Sequence, residues 1–504
     1  MLRTWHPKRY AKSIENRLHG HDAAVIGARR SFLKAALLNF LMLQLLFLAL
    51  YSYVFGSLFQ QNSHLHNLNV LFVDYDDGLI GTAVRGAYND LRGDSFPTVI
   101  EQSVSQFPSP ENLKSAVCNA KYWAAYYTSP GATARLEEAL VSGSAAMAYN
   151  QSNALTLIWN EARYPAVIDA NIVTPLQTLT SAARLAYTAM NGTGALQTLN
   201  LTDPAVISVL ANPWQLASVD IQPTTQGSRL IYNTIVFILV LLQEFFYLGT
   251  INALYLQFNI YAHLYPHRII LYRNAISLAY TFVGSLCTTG AIWAFRSGWN
   301  VNANQFVLSW MVFWIFAHAD FMALDVFTIW LPIPYVPMAL VTWVIISVTS
   351  ILIPFELSPG FYKWAYAIPA HEVYQVLIDI WSRGCNAQLS YALPILFSWE
   401  LVGLFVSNLG VYRRCHYAKV AEEMQEIQFR ERLDAAIASK WKRDEEAKDA
   451  PERESDAIEQ AETGKIKEHV DFMPREDGIQ RDMSKADTNC NFGPSFGLAF
   501  QSND

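Results

Sequence analysis

Five ionisable side chains stand inside stretches that otherwise carry almost no charge: Glu244, His318, Asp320, Asp325 and Glu400. Carboxyls and an imidazole in apolar surroundings can hydrogen-bond neighbouring segments together. They can also take up and release protons, the imidazole near neutral pH. Spacing decides which of them could act together. On a helix, seven residues at about 100° each bring Asp325 to within about 20° of His318, whereas Asp320 lies about 200° away. The expectation is that His318 and Asp325 line the interior of a helix bundle, with Glu244 and Glu400 as partners from other segments. The plainer alternative has these groups only bonding helix to helix, or leaves Asp325 near an interface.

Other chemistry is hard to find. There is no G-x-x-x-x-G-K-[ST] phosphate loop, since Gly464-Lys465 is followed by Ile466 and lacks the upstream glycine. His371-Glu372-Val373-Tyr374-Gln375 begins like a zinc-protease helix, but Gln375 stands where the second histidine belongs. No G-x-S-x-G is present. Asp74, Asp76 and Asp77 could bind a cation, although a turn and helix cap is the commoner use of such a cluster. The expectation is a protein with no catalytic residues, metal or cofactor, and not an enzyme.

The elements that must position the five groups are apolar. Of 504 residues, 52% are hydrophobic and 16% charged, against about 25% charged in ordinary soluble domains. Apolar segments lie near 35–58, 230–256, 272–295, 305–331, 336–357 and 391–412, and about 20 residues suffice to cross a bilayer as a helix. Trp293, Trp310, Trp330 and Trp399 fall at or near segment ends, as interfacial aromatics do; Trp343 falls inside the fifth segment. The expected fold is a polytopic α-helical membrane protein, with six transmembrane helices and an α/β extracytoplasmic domain between helices 1 and 2.

Charge orients it. Arg3, Lys8, Arg9, Lys12, Arg17, Arg29, Arg30 and Lys34 precede the first segment, which is too long for a signal peptide and reads as a signal anchor. Residues 1–34 are then cytoplasmic. Six crossings return the chain to that side, where Arg413 and Arg414 follow the last segment, and a short loop with His263, His267, Arg268 and Arg273 also faces inward. After helix 1 (35–58), residues 59–228 lie outside and contain the sequons at Asn150, Asn191 and Asn200. Strands expected at 69–74, 98–100, 122–127 and 154–159 alternate with helices at 80–91, from Ser109-Pro110, at 132–141 and at 165–190, which is an α/β pattern. Cys118 and Cys385 are the two cysteines on the outer side, so a disulfide between them is open if the fold brings them close. A five-helix bundle spans 229–412, a charged cytoplasmic helix 413–448, and a disordered acidic tail 449–504. Residues 413–504 hold 15 Lys/Arg against 21 Asp/Glu. No basic surface suggests nucleic acid.

The order of one helix, an α/β domain opening with Asn69-Val70-Leu71-Phe72-Val73-Asp74-Tyr75-Asp76-Asp77-Gly78, and five more helices resembles the membrane subunits of type-2 ABC exporters and phage-infection-protein-like envelope proteins. The stretch from Leu357-Ser358-Pro359-Gly360 to Ile368-Pro369-Ala370 is similar to their final outer loop. More closely, Pro266-His267-Arg268-Ile269-Ile270-Leu271-Tyr272-Arg273-Asn274 and Ile368-Pro369-Ala370-His371-Glu372 resemble the fungal nitrosoguanidine-resistance membrane protein family. That resemblance implies drug resistance, that is, tolerance of toxic compounds, at the plasma membrane or another secretory-pathway membrane. It carries over no catalytic residues. Two functions follow as expectations: a permease or exporter moving toxic small molecules or lipids, or a non-transporting regulator or scaffold that affects lipid distribution through its ectodomain. Expected partners are the lipid bilayer and a small-molecule or lipid substrate, with either a separate nucleotide-binding subunit or a second copy of the chain.

Overall fold

A computed structural model describes residues 23–198, 203–224, 234–296 and 299–448. The basic residues Arg3 to Arg17, Asn200 and the 449–504 tail lie outside the described residues. The chain divides into two compact units, residues 1–59 and 60–504.

The first unit holds α1 (Ala23–Ser57). Its 29-residue stretch Arg29–Ser57 contains an 18-residue window of mean hydropathy 2.0 and is about 43 Å long, more than a bilayer core needs. Phe32, Leu37, Leu38, Leu45, Leu48 and Phe55 are exposed along it, as suits contact with lipid. The helix begins at Ala23 rather than at 35, so Arg29, Arg30 and Lys34 are helical.

The second unit opens with an α/β domain. Its elements are β1 (Asn69–Asp74), α2 (Leu79–Leu91), β2 (Thr98–Glu101), α3 (Pro110–Cys118), β3 (Ala124–Thr128), α4 (Ala132–Val141), α5 (Gly143–Ala148), β4 (Leu155–Trp159), α6 (Pro165–Ile168), α7 (Thr174–Thr198), α8 (Pro204–Ala211) and β5 (Leu216–Asp220). The sheet order is β2-β1-β3-β4-β5. β1 is parallel to β2 and β3, β4 is antiparallel to β3, and β5 is parallel to β4. Strand β1 is an unbroken apolar run because helices cover both faces of a parallel centre; Val70 to Asp74 are all buried. Leu71 and Val73 pack with Leu113, Val117, Ala125 and Ile158 beneath α3. The aspartates after β1 close a turn. Asp74 Oδ1 accepts from the backbone N–H of Asp76 and Asp77 at 3.1 and 3.0 Å, and Asp74 Oδ2 accepts from Arg85 at 2.7 Å. Asp76 accepts from the backbone N–H and hydroxyl of Thr133.

The helices that follow are α9 (Val236–Gln257), α10 (Ile260–His263), α11 (Pro266–Ala294), α12 (Ala303–Trp330), α13 (Val336–Leu352), α14 (Pro369–Trp381) and α15 (Leu389–Lys448). Among the described residues α1, α9, α11, α12 and α15 are long and apolar enough to cross a membrane, and α13 is a shorter apolar helix. This is a membrane protein. At 17 residues α13 rises only about 26 Å. The fifth apolar segment thus ends at Leu352 rather than 357, where Pro354 removes a helical donor. The last segment does not stop at 412: α15 runs 60 residues without a break, so Arg413 and Arg414 sit within it. Likewise α11 starts at Pro266, a favoured first-turn residue, and so Arg273 is two turns into a helix rather than in a loop. Within the bundle α12 is the most enclosed span. Every side chain from Phe316 to Asp325 is buried, as expected of a helix packed all round.

The domain and the bundle are joined at a seam. Cys118, at the end of α3, is disulfide-bonded to Cys385, in the turn between α14 and α15. Beside it Asn160 donates to the Cys385 carbonyl at 3.1 Å, and the Tyr164 N–H donates to the Tyr374 hydroxyl at 3.1 Å.

Candidate functional site

The enclosure of α12 turns its polar residues into a column of buried groups at three levels. Asp325 defines the level nearest the end of α12. It is 0% exposed, and its Oδ1 accepts from Arg273 of α11 at 2.5 Å and from Arg414 of α15 at 2.9 Å. Ser407 donates to Oδ2 at 2.5 Å. Arg414 also donates to Thr328 at 2.6 Å, and both arginines reach the Tyr261 hydroxyl, at 3.3 and 3.2 Å. Two guanidiniums thus clamp one carboxylate, tying three helices with charge-assisted bonds. The Arg273 guanidinium is further enclosed by the rings of Tyr255 and Phe321, each 5.6 Å away.

His318 forms a second level. Its Nδ1 meets Glu400 Oε1 of α15 at 2.5 Å and its Nε2 meets Ser277 Oγ of α11 at 3.2 Å. His318 and Asp325 are both buried on α12, and each has its own partners. Glu400 does meet His318. In the sequence Arg273 and Arg414 read as markers of the cytoplasmic side, because they stand at the ends of apolar segments; the proline that starts α11 is the signal that places Arg273 in a helix.

The third level joins α9 to α12. Phe237 packs on Phe313 and Phe316 with ring centres 6.2 and 5.2 Å apart, Tyr247 packs on Phe321 at 5.3 Å, and Asn252 reaches Thr328 at 3.5 Å. This register sets Glu244 level with Asp320. Both residues are 0% exposed. Neither oxygen of Glu244, nor Oδ2 of Asp320, has a hydrogen-bond partner among the described residues. Asp320 Oδ1 accepts from the indole N–H of Trp343 at 3.2 Å. Trp343 is therefore a buried bundle residue rather than an interfacial one.

Outside the column, His371 meets Glu372 at 2.8 Å and Gln375 at 3.3 Å, so Gln375 serves as a hydrogen-bonding residue of the seam. Near the seam Asp220 Oδ1 accepts from the backbone N–H of Glu161 and Gln222 at 3.1 and 3.2 Å. Burial, with a hydrogen bond that the protonated Asp220 donates to the neighbouring Glu161 carboxyl, pushes the Asp220 carboxyl up to about 7. Of the sequon asparagines, Asn150 is exposed in a turn and accepts from the Ser152 N–H at 3.0 Å, whereas Asn191 lies inside α7 and donates to Tyr187 at 3.2 Å.

Among curated proteins, the chain is 24% identical over 381 residues to an uncharacterized endoplasmic reticulum membrane protein of Saccharomyces cerevisiae, covering 69% of this chain and 74% of the relative. No solved structure matches. The family described as "Protein of unknown function (DUF3533)" matches residues 39–405. That span takes in Glu244, His318, Asp320, Asp325 and Glu400 but stops short of Ser407 and Arg414. With most of α1, the whole α/β domain and most of the bundle inside one family match, the chain belongs to the DUF3533 family.

Proposed function

We propose that the protein is a permease-like or exporter-like transporter that moves small toxic molecules or lipids and so contributes to tolerance of nitrosoguanidine-type compounds. One observation carries this reading: ionisable groups at three levels of a single helix enclosed within the bundle. A charge at the centre of a membrane helix costs at least about 2.5 kcal/mol, so groups placed there are candidates for function. In this reading both termini are cytoplasmic, the α/β domain is extracytoplasmic, and the seam disulfide lies on the oxidising side. The yeast relative, an endoplasmic reticulum membrane protein, supports an endoplasmic reticulum or other secretory-pathway membrane. The chain acts without catalytic chemistry of its own. An ATP-driven form takes a separate nucleotide-binding subunit.

The test is flux of rhodamine 6G and of fluorescently labelled phosphatidylcholine through the purified chain in liposomes, with and without a pH gradient. Flux above empty liposomes is expected, together with greater nitrosoguanidine sensitivity of a deletion strain. A second reading, a non-transporting regulator of lipid distribution, is favoured by the disulfide that fixes the α/β domain to the bundle. It predicts no flux while the deletion phenotype persists.

A further inference from the structure

At two of the three levels in the column the carboxyl group has a basic partner. Asp325 is held by two arginines, and Glu400 by His318. Glu244 and Asp320 are the exception. They stand at the same level of α9 and α12, more than two helical turns from either end of both helices. Three of their four carboxyl oxygens have no hydrogen-bond partner among the described residues. The titratable groups that face Glu244 are Asp320, Tyr247 on its own helix and Tyr280 on α11. From α13, Asp320 receives only the uncharged indole of Trp343. On α15 the carboxyl Glu400 is bound to His318, and Arg273 on α11 is bound to Asp325.

The surroundings also limit what the pair can hold. Tyr247 and Tyr280 stack at 3.6 Å, and Phe321 packs against Tyr247 at 5.3 Å. Two adjacent carboxylates in apolar surroundings are penalised twice, by desolvation and by like charge. A proton relieves both penalties and gives each carboxyl a hydroxyl donor beside its acceptors. We propose that Glu244 and Asp320 form a proton-exchange site inside the bundle, the coupling site of the transport proposed above. Unloading breaks one O–H bond. The proton passes to an entering water as hydronium, a carboxylate stays behind, and the carboxyl still loaded donates a hydrogen bond to it.

The assignment rests on the transport reading for its purpose but is tested without transport. Infrared spectra of the full chain in phosphatidylcholine liposomes at neutral pH report protonated carboxyls through a C=O band that carboxylates lack and that shifts in heavy water. Glu244→Gln and Asp320→Asn are each expected to remove one part of the band area that the double variant removes entirely. Unchanged bands in both variants would overturn the assignment. Should the variants fail to fold, dicyclohexylcarbodiimide, which modifies protonated carboxyls in apolar surroundings, is applied to the wild-type chain and mapped by mass spectrometry. Label on Glu244 or Asp320 supports the site, and its absence from both overturns it. Bands without flux would sink the transport reading and leave the site. Flux without the bands would do the reverse.

Discussion

Asp320 and Asp325 lie five residues apart on α12, and both are fully buried, yet their surroundings are opposite. At Asp325 two arginines, a serine and a threonine surround one carboxyl group. At Asp320 a single indole N–H meets one oxygen, and the group level with it on α9 is another carboxyl, Glu244. Burial alone therefore does not separate a structural ion cluster from a group free to exchange a proton; the counter-charge does. The first arrangement holds helices together. The second has no counter-charge, and it is the site proposed above for proton uptake and release.

Removing the carboxylate at each level should break this comparison or confirm it. Asp325→Asn leaves Arg273 and Arg414 facing each other in the bundle, and losing one partner of a buried pair costs about 3–5 kcal/mol. We expect a large fall in folded yield and in thermal midpoint on size exclusion in detergent. Asp320→Asn removes no counter-charge and should leave both close to wild type. Equal losses in the two variants would abolish the distinction. Next in size is Arg273→Met. It should destabilise less than Asp325→Asn, because Arg414 still neutralises the carboxylate. A double-mutant cycle of Arg273→Met with Asp325→Asn should show coupling of about 0.5–3 kcal/mol; additive effects would mean that the bond contributes nothing. Smaller again is Trp343→Phe, which deletes the one hydrogen bond to Asp320. A loss of about 1 kcal/mol is expected, and a loss as large as that of Asp325→Asn would mean that Trp343 acts mainly by packing.

The two levels also differ in how far they could be read from the sequence. Apolar run length marked the spans, and the continuous run at 69–74 marked the central strand, because both signals are local. The strand at 155–159 and the helix at 132–141 were legible for the same reason. Strand β5 was not: Leu216-Ala-Ser-Val-Asp sits at the sheet edge, half exposed, and its alternation is weak. Which partner each buried acid takes was also hidden. Helical angles placed His318 and Asp325 on one face, but Glu400, Arg273 and Arg414 come from helices whose packing no periodicity encodes. The arginines were counted as topology signals, a role compatible with their position near the ends of apolar segments but silent about where the side chains turn.

Asp220 carries the same contrast outside the bundle, where titration is measurable. Like Asp320 it has a carboxyl neighbour, Glu161, rather than a cation, and burial pushes it up to about 7 from its ordinary 3.8. The sign follows from proton counting. Between about pH 4 and pH 7 the folded chain holds a proton on Asp220 that the unfolded chain has released, so this group stabilises the fold fully below about pH 4 and its contribution is lost as pH rises through about 7. Asp220→Asn cannot ionise and keeps the neutral form at every pH. The thermal midpoint of the wild type should therefore fall more steeply than that of the variant as pH is raised through this window, and the two slopes should become parallel above it. The effect is the smallest of the series, because Asp220 keeps some contact with water and two backbone N–H groups already favour its charged form. Parallel slopes across the whole window would mean that the Glu161–Asp220 pair holds no extra proton, and that like-charge pairing without a counter-charge does not by itself retain one in this protein.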